Sequence, residues 1–167
     1  MAERAFTLAA LRALLREADL LAEAPPGGTG NARGAGWAGG PESGSPASDV
    51  RVTGVSQDSR ITRPGDLFVA WAGTEFDAHG FLADAVARGA VAAVVERPVA
   101  GVEVPQVVVR DGRRAAALLA DVLAGSPWRD LALVAVTGTN GKTTTALLVR
   151  HLLGALGPAA SLGTLGL

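Results

Sequence analysis

Apolar positions along the chain change period several times, and each change marks an element. Leu8, Leu11, Leu14, Leu15 and Ala18 fall on one stripe at helical spacing, with Arg12, Arg16 and Glu17 largely outside it. Thr7 stands where a hydroxyl can cap the first turn, so the spacing predicts a helix that packs on something downstream. Val50-Arg-Val-Thr-Gly-Val55 alternates as an edge-type strand does. Pro64-Gly65 then turns the chain into a short apolar run, Leu67 to Trp71. Phe81, Leu82, Ala85 and Val86 make one face of a short helix that Gly89 can end. Strands of the buried type follow at Val91 to Val95 and Val104 to Val109. Asp111 can cap a helix running through Ala116, Leu118, Leu119, Val122 and Leu123 to near Gly125. Pro127 and Trp128 form the bend into a further apolar run, Leu131 to Val136, read as a buried strand. Strands alternating with helices predict an α/β layer with a largely parallel sheet.

The period vanishes from Ala24 to Ser48, where glycine, proline and small residues dominate. That stretch reads as a disordered or loosely ordered insertion, with Trp37 a solvent-exposed passenger in it. At 167 residues and 49% hydrophobic content, the chain can form one domain, or one small domain and part of another. A formal charge of −1 gives no global attraction for nucleic acid or an anionic membrane. Without cysteine there is no disulfide framework, thiolate metal site or cysteine nucleophile. The start of the chain lacks the pattern of a signal peptide, and no uninterrupted apolar stretch is long enough to span a bilayer. A cytoplasmic protein is the expectation.

The chemistry concentrates at Thr137-Gly-Thr-Asn-Gly-Lys-Thr-Thr144, between the apolar run and a helical pattern through Ala146, Leu147, Leu148, His151, Leu152 and Leu153. The first turn of a helix offers backbone N–H groups without intrahelical partners, and its dipole favours an anion there. Gly138 and Gly141 would let the backbone curl around phosphate oxygens, Lys142 would reach the β- and γ-phosphates, and Thr143 would offer its hydroxyl to Mg²⁺. The longer phosphate-loop pattern asks for glycine at position 136, where this chain has Val136, so the match is the shorter G-x-x-G-K-T. Lys142 is the only lysine; every other long basic side chain is arginine, which suggests that a guanidinium would not serve here.

Asp58-Ser59-Arg60 has two readings: a turn closed by Asp and Ser with Arg60 paired to a carboxylate, or a loop presenting polar groups to a ligand. In the second reading Thr74-Glu75-Phe76-Asp77-Ala78-His79 is the facing loop. His79 shows no base or metal partner in the sequence and is read as a surface or turn residue, as is His151.

Taken together, D-S-R-x-x-x-P-G-D-L-F-V-A, G-x-x-x-D, H-G-F-x-x-x-A-x-x-x-G-A-x-A-x-V and T-G-T-N-G-K-T-T-T resemble the N-terminal part of the Mur ligases, from about Val50 to the end. The resemblance implies an ATP-dependent ligase of peptidoglycan synthesis. Most similar are the members that add the third peptide residue to UDP-MurNAc-L-Ala-D-Glu through an acyl phosphate. By position, Gln57, Ser59, Thr74, Glu75 and Phe76 would lie against the uridine diphosphate, and Gly138, Thr139, Asn140, Gly141, Lys142, Thr143 and Thr144 would hold ATP, with Mg²⁺ at Thr143.

The implied fold is α/β, a small UDP-binding domain followed by the beginning of a P-loop ATPase domain with an incomplete sheet. The expected division is an N-terminal helix over 1–23, the insertion over 24–49, the UDP-sugar domain over 50–110 and the ATP-binding part over 111–167. The family's other metal-binding residues and its amino-acid-binding domain would lie beyond Leu167, so this chain is expected to bind but not to ligate. The expected partners are UDP-MurNAc-dipeptide and an amino acid, with no nucleic acid and no membrane, in a monomer. Three alternatives stay open: the ligase that adds the terminal D-Ala-D-Ala, a non-catalytic UDP-sugar-binding module, and a generic P-loop NTPase.

Overall fold

The computed structural model describes residues 5–22, 50–74 and 76–163; the glycine-rich insertion with Trp37, Glu75 and residues 164–167 lie outside them. The chain divides into two compact units, Met1–Pro127 and Trp128–Leu167.

In the first unit, α1 spans Leu8–Glu17, and the Thr7 hydroxyl accepts from the Ala10 N–H at 3.2 Å, the cap that the sequence predicts. The preceding β1, Phe6–Thr7, pairs antiparallel with β2, Arg51–Val52, placing Phe6 opposite Val52. Four further strands, β3 (Gly54–Ser56), β4 (Asp66–Ala70), β5 (Ala92–Val95) and β6 (Gln106–Val108), form one all-parallel sheet in the order β3-β4-β5-β6. Val55 lies opposite Leu67, Leu67 opposite Ala92, and Ala93 opposite Gln106. Helix α2, Leu82–Ala87, joins β4 to β5, and α3, Gly112–Ala124, follows β6.

Unbroken apolar runs in β4 and β5 make sense only if both faces of the sheet are covered. Alternate residues divide between two cores. Leu67, Val69, Ala92, Val94, Val107 and Val109 pack with Leu8, Leu11 and Leu15 of α1 and Ala115 and Leu119 of α3. Phe68, Ala70, Ala93 and Val95 pack with Leu82 and Ala85 of α2. Between β5 and β6 there is no helix; the buried Gln106 amide accepts from the Val99 N–H and donates to the Val99 carbonyl, both at 2.8 Å, and so closes that loop onto the strand.

Four sequence expectations change. The Val50–Val55 pattern breaks at Thr53, its two halves joining different sheets. Phe81 ends a 3₁₀ turn, Ala78–Phe81, and is exposed, so the buried face of α2 begins at Leu82. Helix α3 lies in the first core, and the division falls between Pro127 and Trp128 instead of ahead of Asp111, because Ala115 and Leu119 bury against the sheet. Leu131 to Val136 forms no strand among the described residues. An apolar run becomes a strand only by pairing, so its composition supplies a tendency and not the element.

The second unit holds α4, Lys142–Gly154, whose residues are half-buried or exposed along its whole length.

Candidate functional site

In a parallel sheet every strand ends on the same edge, and ligands bind in the crevice outside those carboxyl ends. Here the loops after β3 and β4 carry the polar residues read in the sequence as facing the uridine diphosphate, and the loop after β5 lies against them.

After β3, Asp58 caps a 3₁₀ turn over Ser59–Ile61, its carboxylate accepting from the Arg60 N–H at 3.0 Å. The Arg60 side chain folds back onto the same carboxylate through Nε at 2.9 Å and Nη2 at 2.7 Å. Ser56 and Thr62 hydroxyls meet at 3.0 Å beneath the turn, and both reach the Asp58 carbonyl. Ser59 is thereby held nearly buried, at 8% exposure, while Gln57 stands exposed beside it. The first sequence reading of this cluster is the one the bonds show: Asp58 and Arg60 close the turn on each other, and the turn holds Ser59 at the strand end.

Bonding to the Arg60 side chain, then to its backbone N–H, lowers the Asp58 carboxyl from 3.8 to about 2. Because the folded value is the lower one, the pair's stabilisation is fully present above about 3.8 and is lost as pH falls through about 2. A carbon-detected NMR titration is expected to show the Asp58 carboxyl moving with a midpoint near 2, and Arg60→Ala is expected to return it toward 3.8. An unchanged midpoint in that variant would remove Arg60 as the cause.

After β4 the chain makes a tight hairpin. Gly73 N–H donates to the Phe76 carbonyl at 2.9 Å, Ala78 N–H to the Trp71 carbonyl at 3.1 Å, and Ala72 sits opposite Asp77. Thr74 and Phe76 are exposed at its tip, Phe76 at 73%; Glu75, also expected at this site, lies outside the described residues. Both legs of the hairpin are fastened to the end of β5. Glu96 accepts from the Ala72 N–H at 3.0 Å, and its other oxygen accepts from the Gly112 N–H, at the start of α3, at 2.9 Å. His79 contacts the Asp77 carboxylate through Nδ1 at 2.6 Å, while Nε2 accepts from the backbone N–H groups of Glu96 at 3.1 Å and Arg97 at 3.4 Å. Arg97 completes the group with an ion pair to Asp77. The bond from His79, its backbone N–H and the nearby Arg97 charge hold the Asp77 carboxyl below the ordinary range.

His79 is a turn residue, one of the two roles expected for it, but it is not at the surface: it is 3% exposed and has a carboxylate partner two residues earlier that the sequence reading missed. Glu96 went unnoticed in the sequence, where it is one acidic residue after an apolar strand. Its consequence is that α3 presents no open N-terminus: Glu96 accepts from Gly112, and Asp111 accepts from the Arg114 N–H at 3.0 Å.

The start of α4 is different. Gly141, at φ +74°, is its N-cap and no side chain caps the helix. A β-carbon there would meet nothing within 4 Å, so glycine is needed for its left-handed backbone and the space beside it stays open. Gly138 has φ +149°. Lys142 lies directly after the glycine, its Nζ bonded to the carbonyls of Gly138 at 2.5 Å and Thr139 at 3.2 Å. Thr139, Asn140, Thr143 and Thr144 are exposed. Left-handed glycine, lysine and helix start thus follow one another directly, leaving first-turn backbone N–H groups beside a cationic side chain. For a metal, Thr143 offers one hydroxyl, and no group of three or more acidic or histidine side chains gathers among the described residues. That donor set fits Mg²⁺ carried by phosphates and water, not a cage built by the protein.

An all-parallel sheet with helices on both faces, followed by a glycine-led helix start that no side chain caps, defines the class as an α/β protein. Residues 51–123 match the model of the Mur ligase family, catalytic domain. The chain is 47% identical over 116 residues to UDP-N-acetylmuramoyl-L-alanyl-D-glutamate--2,6-diaminopimelate ligase of Geobacillus thermodenitrificans, which covers 69% of this chain and 24% of that protein. To UDP-N-acetylmuramyl-tripeptide synthetase of Deinococcus radiodurans it is 45% identical over 119 residues, covering 70% and 24%. Among solved structures, MurF from Acinetobacter baumannii superposes with a TM-score of 0.54 at 39% identity, covering 65% of this chain and 23% of that one. Over residues 51–123 the chain is thus similar to the Mur ligases, and it spans about a quarter of the length of the curated relatives it matches.

Proposed function

We propose that this chain supplies the UDP-sugar-binding and ATP-binding portions of a ligase that adds the third residue to UDP-MurNAc-L-Ala-D-Glu in cytoplasmic peptidoglycan synthesis. The observation that carries the nucleotide half is the uncapped start of α4, with the sole lysine placed directly after a left-handed glycine. In this reading the first-turn N–H groups and Lys142 take phosphate oxygens, and Thr143 offers its hydroxyl to the accompanying Mg²⁺. Bound ATP supplies the phosphoryl group that activates a carboxylate. The chain's own part is to place and neutralise those phosphates, which is most of what phosphoryl transfer asks of a protein.

For the uridine diphosphate, Ser59 and Gln57 on the turn after β3 and Thr74, Glu75 and Phe76 after β4 form the expected contacts. With α3 closed by the carboxylates of Glu96 and Asp111, the diphosphate would sit at the turn and hairpin, away from that helix start. Ser59→Ala leaves the Asp58–Arg60 turn in place, so it is expected to weaken UDP-MurNAc-L-Ala-D-Glu about tenfold in calorimetric titration by loss of one hydrogen bond. Equal affinity of parent and variant would remove Ser59 from the site, and no binding to the parent would overturn the reading.

A second reading, the ligase that adds D-Ala-D-Ala, is favoured by the likeness to MurF. Competition between UDP-MurNAc-dipeptide and UDP-MurNAc-tripeptide separates the two, the preferred ligand naming the step. A monomer is the expected state and is read from the same titrations by light scattering.

A further inference from the structure

The hairpin after β4 is fastened at both legs to two consecutive residues of another strand end. Ala72 is held by the Glu96 carboxylate, and the turn at Asp77–His79 is held by the Glu96 and Arg97 backbone. We propose that His79, as the neutral imidazole carrying its proton on Nδ1, is a positioning residue for ligand binding at this edge. It sets the orientation of the hairpin tip that carries Thr74 and Phe76. The inference rests on the proposed binding of a uridine diphosphate ligand here.

The tautomer follows from the geometry. Nε2 faces two backbone N–H donors and must offer a lone pair, so the proton lies on Nδ1 and is donated to Asp77 at 2.6 Å. A proton added at Nε2 would set donor against donor in a ring that is 3% exposed. Asp77 from its own turn and Glu96 and Arg97 from the end of β5 are the charged residues gathered around the ring; Asp84 and Arg88 of the neighbouring α2 are exposed. Asp77 is thereby oriented from three sides, by the His79 ring, the His79 N–H at 3.0 Å and Arg97. Since Ala72 lies opposite Asp77, whatever fixes one leg of the hairpin fixes the other. No other side chain reaches both the hairpin base and the backbone of residues 96 and 97 among the described bonds.

The test uses the whole chain with UDP as probe, in the parent, His79→Gln and His79→Leu. Glutamine can offer a carbonyl oxygen toward the Glu96 and Arg97 N–H groups and an amide N–H toward Asp77; leucine fills the space and can do neither. Long-range ¹H–¹⁵N spectra of the parent are expected to show His79 protonated at Nδ1, and amide exchange at Glu96 and Arg97 is expected to be slow in the parent and His79→Gln and fast in His79→Leu. UDP affinity is expected to fall about tenfold in His79→Leu and to return to within about threefold of the parent in His79→Gln. Equal UDP affinity in all three chains, or an Nε2-protonated ring in the parent, overturns the positioning role while leaving the binding reading intact. No UDP binding to the parent, with the tautomer and exchange pattern as expected, overturns the binding reading and the positioning role that rests on it, and leaves the fastening as a structural fact.

Discussion

Lys142→Ala is expected to lower affinity for Mg-ATP by about a hundredfold, because a charge-assisted bond to phosphate contributes roughly 1.5–3 kcal/mol and no second lysine exists to replace it. The loss should be one of binding and not of folding. Lys142 is exposed, and its described bonds run to carbonyls of its own loop, so removing it uncovers no buried group. Lys142→Arg is expected to recover little of the affinity. The planar guanidinium must approach through a loop shaped for a compact ammonium, three and four residues from the carbonyls it now bonds. Isothermal titration of the three chains with Mg-ATP and, as a control, with UDP-MurNAc-L-Ala-D-Glu checks this. Undiminished ATP binding in Lys142→Ala would mean that the helix start does not hold the nucleotide, and a parallel loss of the UDP ligand would mean that the substitution acts through the fold.

The difference between the two helix starts shows how much of this site the sequence could disclose. The glycine-lysine spacing before α4 is local, so its backbone follows from adjacent residues and is readable without a structure. The closure of α3 by Glu96 is not, because that carboxylate arrives from a strand end 16 residues away and nothing in its own neighbourhood marks it. The burial of His79, in the turn expected for it, escaped the sequence for a related reason. Its partner Asp77 is near in sequence, yet its burial depends on the end of β5 folding over it, which periodicity around residue 79 cannot express.

The elements themselves were legible where a local signal and a tertiary role agreed. Thr7 and Asp111 cap the helices they precede, and Gly125 ends α3 in the left-handed conformation at φ +85°. Where local pattern and tertiary role diverged, pattern misled. Leu131 to Val136 has the composition of a central strand, but composition supplies only the tendency and pairing supplies the strand. Val50 to Val55 alternates throughout, and the break at Thr53 comes from its halves answering to different partners, Phe6 on one side and the β4 edge on the other.

Phe68→Ala is expected to destabilise the first unit by about 3–5 kcal/mol, a large share of the roughly 5–15 kcal/mol that holds a domain folded. Phe68 is fully buried on the face of β4 that meets α2, and it is the largest side chain in that core. That core also holds Leu82, Val95 and Val102, but four of its buried members, Ala70, Ala85, Ala90 and Ala93, have no length with which to fill the gap, so much of the cavity would persist. Phe76→Ala, on a ring that is 73% exposed, serves as the matched control and is expected to change stability by no more than about 0.5 kcal/mol. Urea unfolding followed by far-ultraviolet circular dichroism measures both. The pair also separates stability from recognition, since Phe76→Ala should alter UDP binding without moving the unfolding midpoint. Similar midpoints for the two variants would refute the assignment of Phe68 to a closed core between β4 and α2.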